Sequence, residues 1–165
     1  MRRLTLLALV FAILAQGACN KITISQKRHR AIRYNNAGLK SFADNLHGEA
    51  IQNLKAAVKE DDDYATAHSN LGMVYIARKQ WDDAQRHLNR AVTLEPKNHD
   101  HHYRLGICYQ NLNRHDLAKQ SYQKALALNP KHFKTHYRLG AVHVAADEPK
   151  QGDASLRKAI EINPR

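Results

Sequence analysis

The chain has 165 residues, and 26 lysines and arginines against 15 aspartates and glutamates give it a net charge of +11. Its two cysteines, Cys19 and Cys108, are too few for a disulfide framework. The basic balance invites a nucleic-acid partner, but no basic stretch is interleaved with aromatics as in single-strand binders, and no nucleic-acid partner is expected.

The amino terminus sets the compartment. Residues 1–18 hold Arg2 and Arg3, an uncharged apolar run from Leu4 to Ala15, and the small residues Gly17 and Ala18 ahead of Cys19. That run is too short to span a bilayer and reads as an export signal peptide. The small residues before Cys19 resemble a bacterial lipobox, a likeness that implies lipidation of Cys19 as the first residue of the mature chain. Gln16 departs from the lipobox pattern, which carries an aliphatic or small residue there, so plain cleavage after Gly17 or Ala18 stays open as the route to a soluble periplasmic or secreted protein. Asn20, and not an aspartate, follows Cys19, which in enterobacterial-type sorting implies an outer-membrane lipoprotein facing the periplasm. Residues 19–30 form a basic tether with Lys21, Lys27, Arg28 and Arg30. Beside a single acyl chain such a stretch adds about 1 kcal/mol per basic residue near an anionic surface.

From residue 31 the chain repeats with a period of 34, in units 31–64, 65–98, 99–132 and 133–165. Gly38, Gly72, Gly106 and Gly140 keep this register. So do Ala57, Ala91, Ala125 and Ala159, then Leu54, Leu88, Tyr122 and Leu156, and finally Pro96, Pro130 and Pro164. Within a unit, apolar residues recur at three-to-four spacing, as in Leu71, Val74 and Tyr75 and then Ala84, Leu88, Ala91 and Val92, which predicts two amphipathic helices. A polar turn separates them, at Ala43-Asp44-Asn45, Arg78-Lys79-Gln80 and Leu112-Asn113-Arg114. The second helix ends at corners such as Glu95-Pro96 and Asn129-Pro130, because proline has no N–H to donate and restricts the residue before it. Each mid-helix glycine costs about 1 kcal/mol relative to alanine. Close approach of the second helix is the expected compensation.

These columns resemble the tetratricopeptide repeat family. The match runs Leu71-Gly72-x-x-Tyr75, Ala84, Leu88, Ala91, Pro96 in the second unit and Leu105-Gly106-x-x-Tyr109, Ala118, Tyr122, Ala125, Pro130 in the third. The outer units keep the glycine and part of the alanine column, with Ala37, Ser41 and Asp62 departing in the first and His143 and Gly152 in the fourth. The resemblance implies an all-α, right-handed α-solenoid of four helix-turn-helix repeats, a non-enzymatic role, and a concave groove on the first helices that takes a protein or peptide partner. By family position the groove falls on Asn36, Asn70, Arg104 and Arg138 in one column and Tyr103 and Tyr137 in another, together with Asn111 and Lys134. Asn70, Arg104, Lys134 and Arg138 are similar in kind to the clamp by which some chaperone-binding members hold a peptide carboxylate, although Met73 stands where that clamp has Asn. An acidic segment is the expected ligand. Secretion or pilus-type assembly lipoproteins are the nearest analogues, and self-association through the open carboxyl end, at Leu156, Ile160 and Ile162, is the companion expectation.

The alternative is a small-molecule or metal carrier built on eleven histidines. His68, His102 and His136 stand 34 apart at the position where the family has an aromatic, so they are expected to pack within their own units. His132 with His136, followed by His99, His101 and His102, is the best local group, and only Asp100 could complete it; no metal site and no cofactor are assigned. The run Glu60-Asp61-Asp62-Asp63 reads as a solvated corner capping the next helix. No nucleophile elbow, phosphate loop or HExxH motif occurs, and no catalytic residue is assigned. Cys108 falls on the inner face of a helix as a buried thiol.

Overall fold

The computed structural model describes residue 23 and residues 25–164. The signal-like segment and Cys19 lie outside the described residues. The described residues form eight helices and no strand: α1 (25–43), α2 (His47–Glu60), α3 (Ala65–Ala77), α4 (Trp81–Leu94), α5 (His99–Asn111), α6 (His115–Leu128), α7 (Phe133–Ala145) and α8 (Pro149–Ile162). None of them is long and apolar enough to cross a membrane.

Odd and even helices alternate as first and second members of the four expected repeats, joined by tight turns. One non-glycine residue in each turn takes a positive φ: Asn45 at 60°, Lys79 at 58°, Asn113 at 55° and Asp147 at 60°. The following N–H then reaches back five residues, from Leu46 to the Ser41 carbonyl at 2.8 Å and from Gln80, Arg114 and Glu148 to Tyr75, Tyr109 and His143 at 2.9 Å. This closure satisfies carbonyls that the end of the first helix would leave unpaired.

The corners between repeats are tied by the spaced histidines. Nε2 of His68, His102 and His136 lies 3.0, 2.8 and 2.9 Å from the carbonyl oxygens of Asp62, Pro96 and Pro130, each six residues back. The ring therefore donates across the corner as well as packing, a role its aromatic spacing alone did not disclose.

Two expectations at the amino-terminal end are corrected. Residues 25–30, expected in the tether, belong to α1. The acidic run does not cap α3, whose N-cap Tyr64 makes no side-chain cap bond. Instead Asp61 pairs with Arg28, Glu60 with Arg30 at 2.6 Å, and Asp62 and Asp63 each with Arg90 at 2.8 Å. Opposite charges on α1 and α4 draw the run into an ion-pair knot, which also extends α1 toward the amino terminus.

Small residues let the two helices of each repeat approach. A Cβ built on Gly38, Gly72, Gly106 or Gly140 would come within 2.6, 2.6, 2.4 or 2.7 Å of the side chain of Leu54, Leu88, Tyr122 or Leu156. The core is continuous: Leu54, Leu71, Val74, Leu88, Leu105 and Cys108 fill one half, Tyr122, Leu139 and Val142 the other, and Tyr109 packs against both. The Cys108 thiol is buried, donates to the Trp81 carbonyl at 3.2 Å, and has its pKa pushed up to about 11 by burial, as expected of a structural cysteine.

Candidate partner-binding groove

Helix α3 touches α5 and α5 touches α7, whereas none of α2, α4, α6 and α8 touches another of that set. The first helices therefore converge and line the inner side of the stack, which is the groove.

A polar ladder runs along this inner side. Asn70, buried, donates to Asn35 Oδ1 at 2.9 Å and accepts from Arg104 Nη1 at 3.0 Å. The same Nη1 lies 3.1 Å from both the hydroxyl and the carbonyl of Ser69. One repeat further, Arg138 Nε donates to the Tyr103 hydroxyl at 3.2 Å. The Asn70, Arg104, Arg138 column thus joins repeats to one another, and Asn35, not Asn36, carries it into the first. Asn36 is exposed and, among the described residues, accepts from the Asn35 amide at 3.4 Å. Asn111 is also exposed and donates to the carbonyl of Ile107 on its own helix at 2.8 Å, so it stands apart from the cluster.

Tyr103, Lys134, Tyr137 and Arg138 come together. With Phe133, Ala159, Ile160 and Asn163 they line an open cavity of about 580 Å³. Lys134 is exposed and Tyr137 is 60% exposed, so a cation and an aromatic ring face the opening. Tyr103 is anchored beneath them, tilted against Tyr122 with centroids 6.1 Å apart and edge-on to His132 at 5.0 Å. The α8 residues are the part that the groove positions did not predict. Ile160 stands 34 residues after Leu126 and 68 after Val92, which are packed against the core, yet it is itself 64% exposed. The groove positions on α5 and α7 and the α8 residue Ile160, separate surfaces in the sequence, line this one cavity.

The electrostatics favour an anion. Arg104, Lys134 and Arg138 have no carboxylate within ion-pair distance among the described residues, while Arg28, Arg30 and Arg90 all do. Burial depresses the Arg104 pKa, with Asp100 and Tyr103 acting the other way. The guanidinium is therefore only partly compensated for lost hydration.

These features define an α-helical repeat solenoid with a basic, aromatic groove. The chain belongs to the tetratricopeptide repeat family, whose repeat models match residues 41–105 and 99–132. Among solved structures, MamA is 23% identical, with 88% of this chain and 84% of that one covered and a TM-score of 0.77. MamA 41-end from Desulfovibrio magneticus RS-1 is 22% identical over 81% of this chain and 76% of its own, with a TM-score of 0.76. The first TPR of Spaghetti (RPAP3), bound to the HSP90 peptide SRMEEVD, is 23% identical over 73% of this chain and 95% of its own, with a TM-score of 0.72. Likeness at this level establishes a shared fold. No curated protein matches the chain.

Proposed function

We propose that this protein is a non-enzymatic interaction scaffold that holds an acidic, carboxylate-terminated segment of a partner protein at the α5–α7–α8 cavity. One observation carries the reading: Arg138 and Lys134 line an open cavity with aromatic and aliphatic side chains, and no carboxylate of the described residues neutralises them. A terminal carboxylate would pair with Lys134 and the free nitrogens of Arg138, and an apolar side chain beside it would cover Ile160, Phe133 and Tyr137. Arg104 does not line the cavity; its guanidinium is tied to Ser69 and Asn70 of the second repeat. The peptide-bound neighbour of the same fold supports a ligand of this kind.

The scaffold works in the cell envelope, tethered through lipidated Cys19 to the outer membrane and facing the periplasm. The support is the apolar run from Leu4 to Ala15 and the order Gly17-Ala18-Cys19-Asn20. A role in a secretion or pilus-type machine follows by analogy. Intact mass of membrane-extracted protein tests the anchor: a diacylglycerol-modified Cys19 is expected, and an unmodified mature chain in the periplasmic fraction contradicts it.

Fluorescence anisotropy with labelled SRMEEVD, as the free acid and as the C-terminal amide, tests the groove. The acid is expected to bind at least tenfold more tightly, about 1.4 kcal/mol, and Lys134→Ala with Arg138→Ala should remove that difference. Equal affinity for acid and amide would reject the clamp. The 64% exposed Ile160 favours a second reading, docking or self-association on α8. Binding that survives loss of both cations but disappears in Ile160→Asp would move the site there.

A further inference from the structure

We propose a transition-metal site on His99, Asp100 and His132, at the corner joining the third and fourth repeats. One ligand atom from each of the three residues lies within 4.8 Å of the other two. His99 Nδ1 and Asp100 Oδ1 are 3.6 Å apart, and the His99 and His132 rings are tilted with centroids at 5.2 Å. Around a tetrahedral zinc with bonds of about 2.0–2.2 Å, ligand atoms stand roughly 3.3–3.6 Å from one another. The His99–Asp100 pair already meets that spacing, and His132 needs to close by at most about 1.5 Å.

Two further observations point to a ligand. His99 Nδ1 is buried and has no hydrogen-bond partner, an arrangement that leaves a polar nitrogen uncompensated unless something coordinates it. The Thr135 hydroxyl holds His132 Nδ1 at 2.6 Å. An outer contact of this kind orients a ligating imidazole and leaves its other nitrogen to the metal. Two imidazoles and one carboxylate leave a fourth position for water.

The surroundings select the class of metal. His99 and Asp100 open α5, His132 precedes α7, and Lys131 and Lys134 flank it, so helix dipoles and charge oppose a simple cation. Calcium and magnesium rely on charge and oxygen ligands and are disfavoured. Zinc, nickel and copper form strong coordinate bonds to imidazole nitrogen and can overcome that field. His136, the neighbour that sequence spacing singled out, offers no atom to this three-residue cluster, and its Nε2 donates to the Pro130 carbonyl at 2.9 Å. The bound ion would fasten the start of α5 to the start of α7, one ring contact from Tyr103.

Isothermal titration of the full chain with zinc chloride tests this site, with cobalt(II) absorption as a second readout of coordination geometry. One strong site per chain is expected, weakened at least tenfold by Asp100→Asn and by His132→Ala, unchanged by His136→Ala and not displaced by excess magnesium. Tetrahedral cobalt bands should appear with the wild type and vanish in both weakened variants. Asp100 is half-exposed and makes no side-chain hydrogen bond, so Asp100→Asn keeps the fold even if His132→Ala loosens it. Zinc affinity equal in the wild type and Asp100→Asn, or lowered as much by His136→Ala, would overturn the proposal.

Discussion

Gly106→Ala examines how the repeats are held. A Cβ there would lie 2.4, 2.6 and 2.9 Å from Cε1, Cδ1 and Cζ of Tyr122, against about 3.5–4.0 Å for relaxed carbon contacts. The ring must retreat by about 1 Å. It has little room, because Tyr122 is fully buried and its hydroxyl donates to Gln110 at 2.8 Å. Overpacking costs about 1–3 kcal/mol, and a strained or lost hydrogen bond adds about 1 kcal/mol. The gain in helix propensity returns about 1 kcal/mol, leaving a net loss of about 1–3 kcal/mol. For a chain of this size that lowers the thermal midpoint by about 2–12 °C. Gly48→Ala is the matched control, since a Cβ at Gly48 meets nothing within 4 Å and should raise stability by up to about 1 kcal/mol. Far-UV circular dichroism on heating and in urea reads both variants. A Gly106→Ala protein as stable as the wild type, alongside a stabilised Gly48→Ala protein, would refute the helix contact drawn here.

Acid should loosen the second repeat. His87 is held near pKa 4, against 6.5 ordinarily, by burial first and then by His68, whose Nδ1 lies 3.1 Å from its own, and by Arg86; Asp83 acts the other way. The folded state therefore binds this proton more weakly than the unfolded chain, so the contribution is intact above pH 6.5 and falls away toward pH 4. Solvent screens the half-buried ring, and the loss is about 1–2 kcal/mol; a His87→Phe variant whose acid sensitivity equals that of the wild type would contradict this origin. His102→Leu should cost about 1 kcal/mol by leaving the Pro96 carbonyl unpaired, and hydrogen exchange should rise at that corner first; unchanged exchange there would mean that the imidazole only packs. Cys108 should resist alkylation at about pH 8 in the folded protein and react on unfolding, and rapid native labelling mapped to Cys108 would show the thiol to be open.

The architecture was legible because each repeat must solve the same packing problem. A glycine facing Leu54, Leu88, Tyr122 or Leu156 cannot drift without overlap, so its column survives in the sequence. Polar roles left weaker traces. The spacing of His68, His102 and His136 suggested an aromatic substitute, but their bonds to corner carbonyls depend on ring orientation. Lys79 gives no hint of a left-handed backbone, whereas Asn45 and Asn113 do. Of the residues that the family resemblance put in the groove, Tyr103, Lys134, Tyr137 and Arg138 line one cavity, whereas Asn36 and Asn111 stand aside and Arg104 is tied into the ladder. Ile160 was expected with Leu156 and Ile162 on a self-association surface, and only the three-dimensional stack places it in one cavity with Tyr103 and Arg138.

A heteronuclear NMR titration of the labelled chain with an acidic peptide bearing a free C-terminal carboxylate tests the carboxylate clamp most directly. Shifts are expected to saturate together at Tyr103, Lys134, Tyr137, Arg138 and Ile160, to shrink when the peptide is amidated, and to weaken as salt is added. Shifts confined to the outer helices α4 and α6, or a response identical for acid and amide, would contradict it.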